Sequence, residues 1–399
     1  MPPIRVVNRF FEENPSNQAD GVALPSRPPT TLLIELEGEG RPRSLFTQDG
    51  TFDGALFGVF GAQLFRINTT QVNGFYVIQP ITGTIAGDGF PQMDGRGNEL
   101  FLCDGTNFFY YLGNEIAALG TLTLSGNPSN NQTVTIGALT WTFKTALSSG
   151  PTVPFEVLIG ASASDSLDNL IAAINGDAGE GTLYSTGTTP SPEVTAYMSS
   201  ASVMIATAIW GGAGYAGNGG NNIATTETLS SGAWGAATLL GGVDGSLQTI
   251  TMPDSQGVVS IAVLKQQVLA VASQSQKFYW VLPNEFTVDS LNFASADQRP
   301  DQLISVRVVG DYALMFGTQS TEVWYANPTP ADTAENFLRQ DGQAFSRGIF
   351  EGSDVVVDDS LIVVGDDNKV YQVDGAPVRV STHYIEEMIR LARKAELEA

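Results

Sequence analysis

One cysteine and one histidine in 399 residues remove several chemistries at once. Cys103 alone cannot build an internal disulfide framework. It lies mid-strand in LFLCD and reads as a small buried side chain. His383 alone excludes a metal site of several histidines and an HExxH helix. A Ser-His-Asp triad would have to use His383, which stands at a strand-to-helix junction, and no nucleophile elbow occurs in the sequence. Basic residues are also scarce. There are 19 Lys and Arg against 42 Asp and Glu, a net charge of −23. No Lys/Arg cluster is present to neutralise phosphates, which excludes nucleic-acid binding of that kind. No apolar run reaches the ~18 residues of a membrane-spanning helix. The start, MPPIRVVNRFFEENP, lacks the apolar core of a signal peptide.

What is abundant is turn-forming residues: 43 Gly and 20 Pro are scattered without period through a chain that is 42% hydrophobic, as a turn-rich β protein requires. The stretch 297–327, DQRPDQLISVRVVGDYALMFGTQSTEVWYAN, holds three short apolar runs, Leu303–Val309, Tyr312–Phe316 and Glu322–Ala326. Gly310-Asp311 and Gly317–Ser320 separate them, so they read as a three-stranded antiparallel meander. The unit recurs. Phe65, Phe109, Tyr279, Trp324 and Tyr371 each follow a turn on a matching last strand, at spacings of 44, 170, 45 and 47 residues. Taking 120–246 as a 127-residue insertion brings the outlier to 43. A period near 45 with short strands is that of propeller blades, ~40–50 residues each, which must stack because one blade cannot bury both faces.

Within 120–246 the texture changes to Thr, Ser, Gly and Ala with almost no Lys or Arg. Strands are predicted at 121–144, 155–160, 194–198 and 203–210. A helix is predicted over 162–177, with Leu167, Leu170, Ile171 and Ile174 on one face, Ser164 or Asp165 as cap and Asn175-Gly176 as stop. This reads as a compact α+β module. Its GGAGYAGNGG carries a GxGxxG match at Gly212, Gly214 and Gly217, but no helical pattern follows, so it reads as a flexible loop and not a dinucleotide site. The MDGRGNE stretch at 93–99 resembles part of a calcium loop but lacks its remaining acids and reads as a hairpin turn. Asp358-Asp359 and Asp366-Asp367 fall at turns, where Asp has backbone reasons to be. No positive sign of catalysis emerges.

The expected fold class is mainly β: a propeller-like array of antiparallel meander blades, with the inserted α+β module and a C-terminal helix. The expected division is an extended arm over 1–50 (with a strand at 30–38 leading into the first blade), propeller over 51–119, module over 120–246, propeller over 247–382 and helix over 383–399. That helix places Ile385, Met388, Ile389 and Ala392 on one side, with Thr382 as its cap. It is expected to pack on its own propeller, the alternative being an arm for a neighbour.

FTVDSLNFASADQRPDQLISVRVVGDYALMFGTQSTEVWYANP, at 286–328, resembles the packaged-DNA stabilisation proteins of short-tailed phages, also called tail accessory or tail nozzle proteins. LNFASAD, the RPD of Arg299, Pro300 and Asp301, the LMFG turn and the STEVWY strand carry the likeness, so that Asp297, Arg299, Pro300, Asp301, Gly317, Glu322, Trp324 and Tyr325 become motif positions of structural kind. QAFSRGIFE at 343–351, VYQVDGAPVRVSTHYIEEMI at 370–389 and the opening FFEENPSNQADGVALPSRP extend it. The module resembles one found in various phage structural proteins.

The resemblance implies a virion protein without catalytic residues or cofactor, assembled as a homo-oligomeric ring (a hexamer, by family likeness) below the portal and adaptor. There it would continue the DNA channel, retain the packaged genome, carry tail fibres or spikes and pass double-stranded DNA without sequence-specific binding. The negative charge suits a wall that does not hold phosphate. Another reading is a receptor- or carbohydrate-binding propeller of the tail, and a third a glycan-cleaving propeller.

Overall fold

The computed structural model describes residues 12–13, 22–23, 40–72, 75–148, 153–215, 217, 219–332, 335–357, 360–374 and 376–398. Within the unit Met1–Gly38, Glu12–Glu13 pairs antiparallel with Val22–Ala23. The expected strand at 30–38, most of the arm and the Asp358-Asp359 turn lie outside the described residues.

The unit Glu39–Ala399 contains five four-stranded antiparallel sheets of one design, the blades of a propeller-like array. The first comprises Pro42–Phe46, Leu56–Phe60, Gln63–Val72 and Phe75–Ile81. Its first strand lies inside the segment expected to be arm. Pro42 and the charges of RPRS hid it, since a first strand tolerates Pro at its start. The third blade is Val258–Leu264, Gln267–Ala272, Lys277–Val281 and Phe293–Ser295. The fourth is Leu303–Val309, Tyr312–Gly317, Thr321–Ala326 and Phe337–Phe345, so the anchor meander has a fourth strand that its polar sequence, FLRQDGQAF, concealed. The fifth is Val355–Val357, Ser360–Val364, Val370–Asp374 and Ala376–Arg379.

The second blade is assembled differently. Gln92–Arg96, Glu99–Cys103 and Phe108–Tyr111 follow in order, but the fourth strand is Gln248–Thr249, paired as Gln248↔Tyr110 and Thr249↔Phe109. Residues 112–247 therefore lie between the third and fourth strands of one blade, and the chain returns to finish that blade. Thr82 receives it: the Thr82 N–H donates to Gly245 O at 2.7 Å and the Leu247 N–H to Thr82 O at 2.8 Å.

The repeat is visible in the registers. A bulge precedes Ser44, Ser260 and Ser305, which pair with Val59, Val271 and Phe316. The next residues along, Gly58, Ala270 and Met315, pair with Phe65, Tyr279 and Glu322 on the third strands. Leu102 and Val363, three residues past their own hairpin turns, pair with Phe109 and Tyr371. Four of the five marker aromatics are thus equivalent. The fourth blade differs: Glu322 holds that place, and Trp324 stands two residues further on the same face. Phe65, Phe109, Tyr279, Trp324 and Tyr371 are all buried, each contributing about 1.5–3 kcal/mol by leaving water.

Buried clusters join each blade to the next. Phe57, Leu100 and Tyr111 share one cluster; Phe101, Ile261 and Tyr279 another; Phe278, Trp280 and Trp324 a third; Phe316, Leu361 and Tyr371 a fourth. A separate cluster belongs to the inserted segment, with Trp141, Phe143, Leu167 and Leu239 at its centre. Two four-stranded sheets build it, and α1 (Ala163–Asn175) covers it with Leu167, Leu170 and Ile174 fully buried. The cap of α1 is Ser162, two residues before the earlier expected candidate. Its hydroxyl accepts the Asp165 N–H and donates to the Asp165 carboxylate, while Gly176 at φ 71° ends the helix.

The final helix, α2 (His383–Glu398), follows the fifth blade and meets it through Glu386 and Arg393, with Ile389 half-buried and other apolar side chains open. Tyr384, Ile385, Met388 and Leu391 are 75%, 43%, 55% and 51% exposed.

Candidate functional site

Asp301, Gly317, Glu322 and Trp324 of the motif gather into a buried polar latch on the fourth blade. The Arg299-Pro300-Asp301 turn brings the Asp301 carboxylate over the Gly317–Ser320 turn. It accepts the N–H groups of Gln319 and Ser320 at 2.7 and 2.9 Å and the Ser320 hydroxyl at 2.8 Å. Gly317 must be glycine for space rather than for its backbone angles, because a Cβ there would lie 2.2 Å from Asp301 Oδ2. Glu322, 2% exposed, accepts the Gln298 N–H at 2.8 Å and the Trp324 indole N–H at 3.1 Å. Arg339 reaches Asp297 at 3.2 Å and Glu322 at 3.8 Å. The Arg299 side chain leaves the latch and donates to Ser346 at 2.5 Å. Tyr325 stands half-buried opposite Tyr312 on the neighbouring strand. The two buried carboxylates of the motif, Asp301 and Glu322, are spent on backbone, hydroxyl and indole donors, which is the chemistry of a turn lock.

A second polar network ties the first strands of the second, third and fourth blades to Asp354, the residue just before the first strand of the fifth. Gln92 Oε1 accepts the Ser260 hydroxyl at 2.7 Å and an Arg307 N–H at 3.1 Å. Ser260 and Ser305 hydroxyls lie 3.3 Å apart, and Ser305 donates to Asp354 at 2.6 Å. Arg307 Nε also meets Asp354 at 2.6 Å. Asp94 takes the Val263 N–H at 2.7 Å, and burial raises its pKa above the ordinary carboxylate value. Ser260 and Ser305, two of the serines that follow a bulge, thus supply hydroxyls where successive blades meet. Composition alone gave no signal for this network.

A third cluster joins the first blade to Glu115, Trp210 and Gly211. Arg66 pairs with Glu115 at 2.9 Å, and its guanidinium lies 5.3 Å from the Phe52 ring centroid and 5.9 Å from that of Trp210. Tyr111 donates to the same Glu115, and Gln79 donates to Gly211 O. The glycine stretch expected to be flexible is held here. Ala213 N–H donates to Asp244 at 2.7 Å, and the Tyr215 ring stands edge-on to Phe65 at 5.2 Å. Gly220, where a Cβ would strike the backbone of Gly212–Gly214, begins a single 3-10 turn, so no helix opens onto the GxGxxG glycines.

The remaining candidates resolve simply. Gly97-Asn98 is the two-residue turn of a hairpin, Arg96↔Glu99, and Arg96 carries on to the Gln266, Leu282 and Glu285 carbonyls of the third blade. Cys103 is buried and its thiol is pushed up to about 12 by loss of solvent. His383 has a side chain 95% exposed, 3.5 Å from Glu386. Burial pushes the Asp367 carboxyl up, but bonds from Lys369, Tyr371 and Arg347 prevail and hold it at about 2. Among the described residues, no three His, Cys, Asp or Glu side chains gather as a metal site, and no helix is long and apolar enough to cross a membrane.

The model of the family described as Bacteriophage P22 Gp10, beta-propeller, matches residues 221–399. Over that span the chain matches a phage stabilisation family. The match contains the latch, its fourth blade and the fifth, and agrees with the likeness read from LNFASAD through STEVWY. It supports a bacteriophage structural protein carrying a β-propeller. No curated protein matches this chain. Among solved structures, YCF48 from Cyanidioschyzon merolae aligns at 11% identity over 88% of each chain with a TM-score of 0.31. The Cps50 (Swd1) β-propeller domain of Myceliophteria thermophila aligns at 8% identity over 85% of each chain with a TM-score of 0.30.

Proposed function

We propose that this protein is a tail nozzle or accessory factor, assembled as a ring of identical subunits below the portal and adaptor, where it continues the DNA channel, retains packaged DNA and anchors fibres or spikes. The observation that carries the reading is the coincidence of the phage family match with the latch, in which the motif residues serve one another structurally. A scaffold of this kind needs rigid blades and no catalytic group. The net charge of −23 supports the channel role, because an acidic wall repels phosphates and lets a duplex pass. Assembly would occur in the host cytoplasm and residence in the virion.

Residues 116–243 are the guest module in this reading. Ile116↔Val243 closes its base, and the Arg66–Glu115 mount orients it on the first blade. The module also favours a second reading, that of a tail adhesin for a receptor or glycan. The outward face of one of its sheets carries Thr121, Thr195, Tyr197, Ile205 and Thr207 with no charged side chain among them.

Electron microscopy of the purified protein, alone and with its portal, tests the first reading. Rings with an open channel that stack on the portal are expected. A protein that neither closes into rings nor binds portal refutes it, as does a ring whose lumen is basic. Binding of host polysaccharide lost on deleting 116–243 would select the adhesin.

A further inference from the structure

Phe90 is 80% exposed, more than any other large apolar side chain among the described residues. Its loop, 83–91, joins the first blade to the second and contains no strand or helix, yet its backbone is firmly held. The buried Arg43 guanidinium donates to Ala86 O and Gly89 O, each at 2.8 Å, and to Ile85 O at 3.4 Å. Arg41 donates to Asp88 O at 2.5 Å, and the Ala86 N–H donates to Asp104 at 2.8 Å. An aromatic ring displayed in water on a fixed backbone gains nothing within its own chain. It is the arrangement of a binding anchor whose ordering cost has been met during folding.

A recess of matching character lies at the other end of the same blade. Phe90 stands two residues before the strand Gln92–Arg96, and the Gly97-Asn98 turn directly after that strand lines a cleft of about 690 Å³ between the second and third blades. Roughly 17 Å of strand separates the two surfaces. Leu112, Pro283 and Phe286 supply the apolar lining, and Asn98, Gln266 and Asn284 the polar part. Leu112 is 40% exposed, and Phe286 is fixed by stacking on Tyr110 with ring centroids 4.4 Å apart. Arg96 donates to the Gln266, Leu282 and Glu285 carbonyls, so the walls are set before anything enters.

We propose that Phe90 of one copy of the chain enters the Leu112–Phe286 cleft of the next. Charge selects a second copy as the occupant. Arg41, exposed beside the Phe90 loop, has no carboxylate partner among the described residues. Glu285, exposed between the cleft residues Asn284 and Phe286, has no cationic one among them. Copies of a chain with 42 acidic residues against 19 basic repel one another except where a cation meets an acid, and Arg41 with Glu285 provides such a meeting. Surfaces at opposite ends of one strand face apart, so each copy offers Phe90 to one neighbour and its cleft to another. That is a head-to-tail contact, which makes a ring where the rotation closes and a filament where it does not. The contact deepens the ring reading and rests on it for closure alone.

Cysteine trapping in the full chain tests it. Phe90→Cys combined with Leu112→Cys should give, on mild oxidation, a ladder of covalent oligomers on a non-reducing gel, because the two positions are too far apart to join within one chain. Either substitution alone cannot exceed a dimer, and the buried Cys103 takes no part. In sedimentation velocity, Phe90→Asp, at a position already open to water, raises the dissociation constant of the contact about tenfold or more. Glu285→Arg weakens it from the cleft side. Rings that these substitutions disperse support both the contact and the ring, whereas filaments that they disperse support the contact and refute the ring. Rings that neither substitution disturbs, or a paired cysteine variant without the ladder, overturn the contact and leave the ring standing. A chain that stays monomeric, alone and with its portal, overturns both. Circular dichroism of each variant separates lost pairing from lost folding.

Discussion

Replacing Asp301 with Ala deletes the acceptor of three hydrogen bonds at once, leaving the Gln319 and Ser320 N–H groups and the Ser320 hydroxyl to find others. Asp301 is 9% exposed and Ser320 7%, so water reaches them poorly. Stranded buried donors cost about 1–3 kcal/mol each. Partial relaxation of the turn brings the expected loss for Asp301→Ala to about 3–5 kcal/mol. Gly317→Ala acts on the same contact from the other side, since its new Cβ would sit 2.2 Å from Asp301 Oδ2 and 2.9 Å from Cγ. The carboxylate must move off its donors, at a cost of about 2–3 kcal/mol. With Asp301 already Ala those atoms are gone, and the closest remaining obstacle is Gln302 O at 3.2 Å. The double variant should therefore lie close to Asp301→Ala alone, a coupling of about 2 kcal/mol. Urea unfolding followed by tryptophan fluorescence reads this, because Trp280 and Trp324 share the buried cluster beside the latch. Additive losses, or an Asp301→Ala loss below about 1 kcal/mol, would refute the latch.

Three further outcomes are expected. Cys103, buried with its thiol held near 12, should resist a thiol reagent at pH 8 in the folded protein and react at once in denaturant; fast native labelling would contradict the second blade. Asp367 has a folded pKa of about 2 against an ordinary 3.8, so its contribution is present above the ordinary value and is lost as pH falls toward 2; Asp367→Asn should flatten the acid limb of a stability–pH profile, with the effect moderated by solvent at this part-exposed site. Arg66→Met keeps the apolar stem but removes the Glu115 pair and the stacking on Phe52 and Trp210; faster amide exchange at 113–116 and 242–246 is expected, with the exchange inside α1 unchanged.

Much of the architecture was legible in the sequence because blades are local. Strands such as 258–264, 267–272 and 277–281 pair with immediate neighbours, so short apolar runs between turn residues reveal them, and the spacing of buried aromatics reveals the repeat. α1 was legible for the same reason, its seam being a four-residue pattern. Outer strands were not. Phe337–Phe345 and Pro42–Phe46 are polar or proline-bearing, and an outer or first strand has only one neighbour to satisfy.

Other features depend on partners that the chain reaches only in three dimensions. Gln248–Thr249, two polar residues, become a strand because Phe109 and Tyr110 wait with unpaired backbone across the insertion. The place of Trp324 looked equivalent to Tyr279 by count, yet the link from second to third strand is two residues shorter in the fourth blade, Met315 to Glu322 against Ala270 to Tyr279, and puts Glu322 there instead. Asp301 and Gly317 are sixteen residues apart in sequence, and only the folded turn shows that the glycine is small for the sake of a carboxylate. Sequence determined the repeat of short strands and its period, since these are written in nearest-neighbour backbone preference and apolar spacing. Tertiary structure decided which strand completes which blade, which side of α2 meets the body and which acids are buried, because each depends on surfaces that exist only after distant strands have paired.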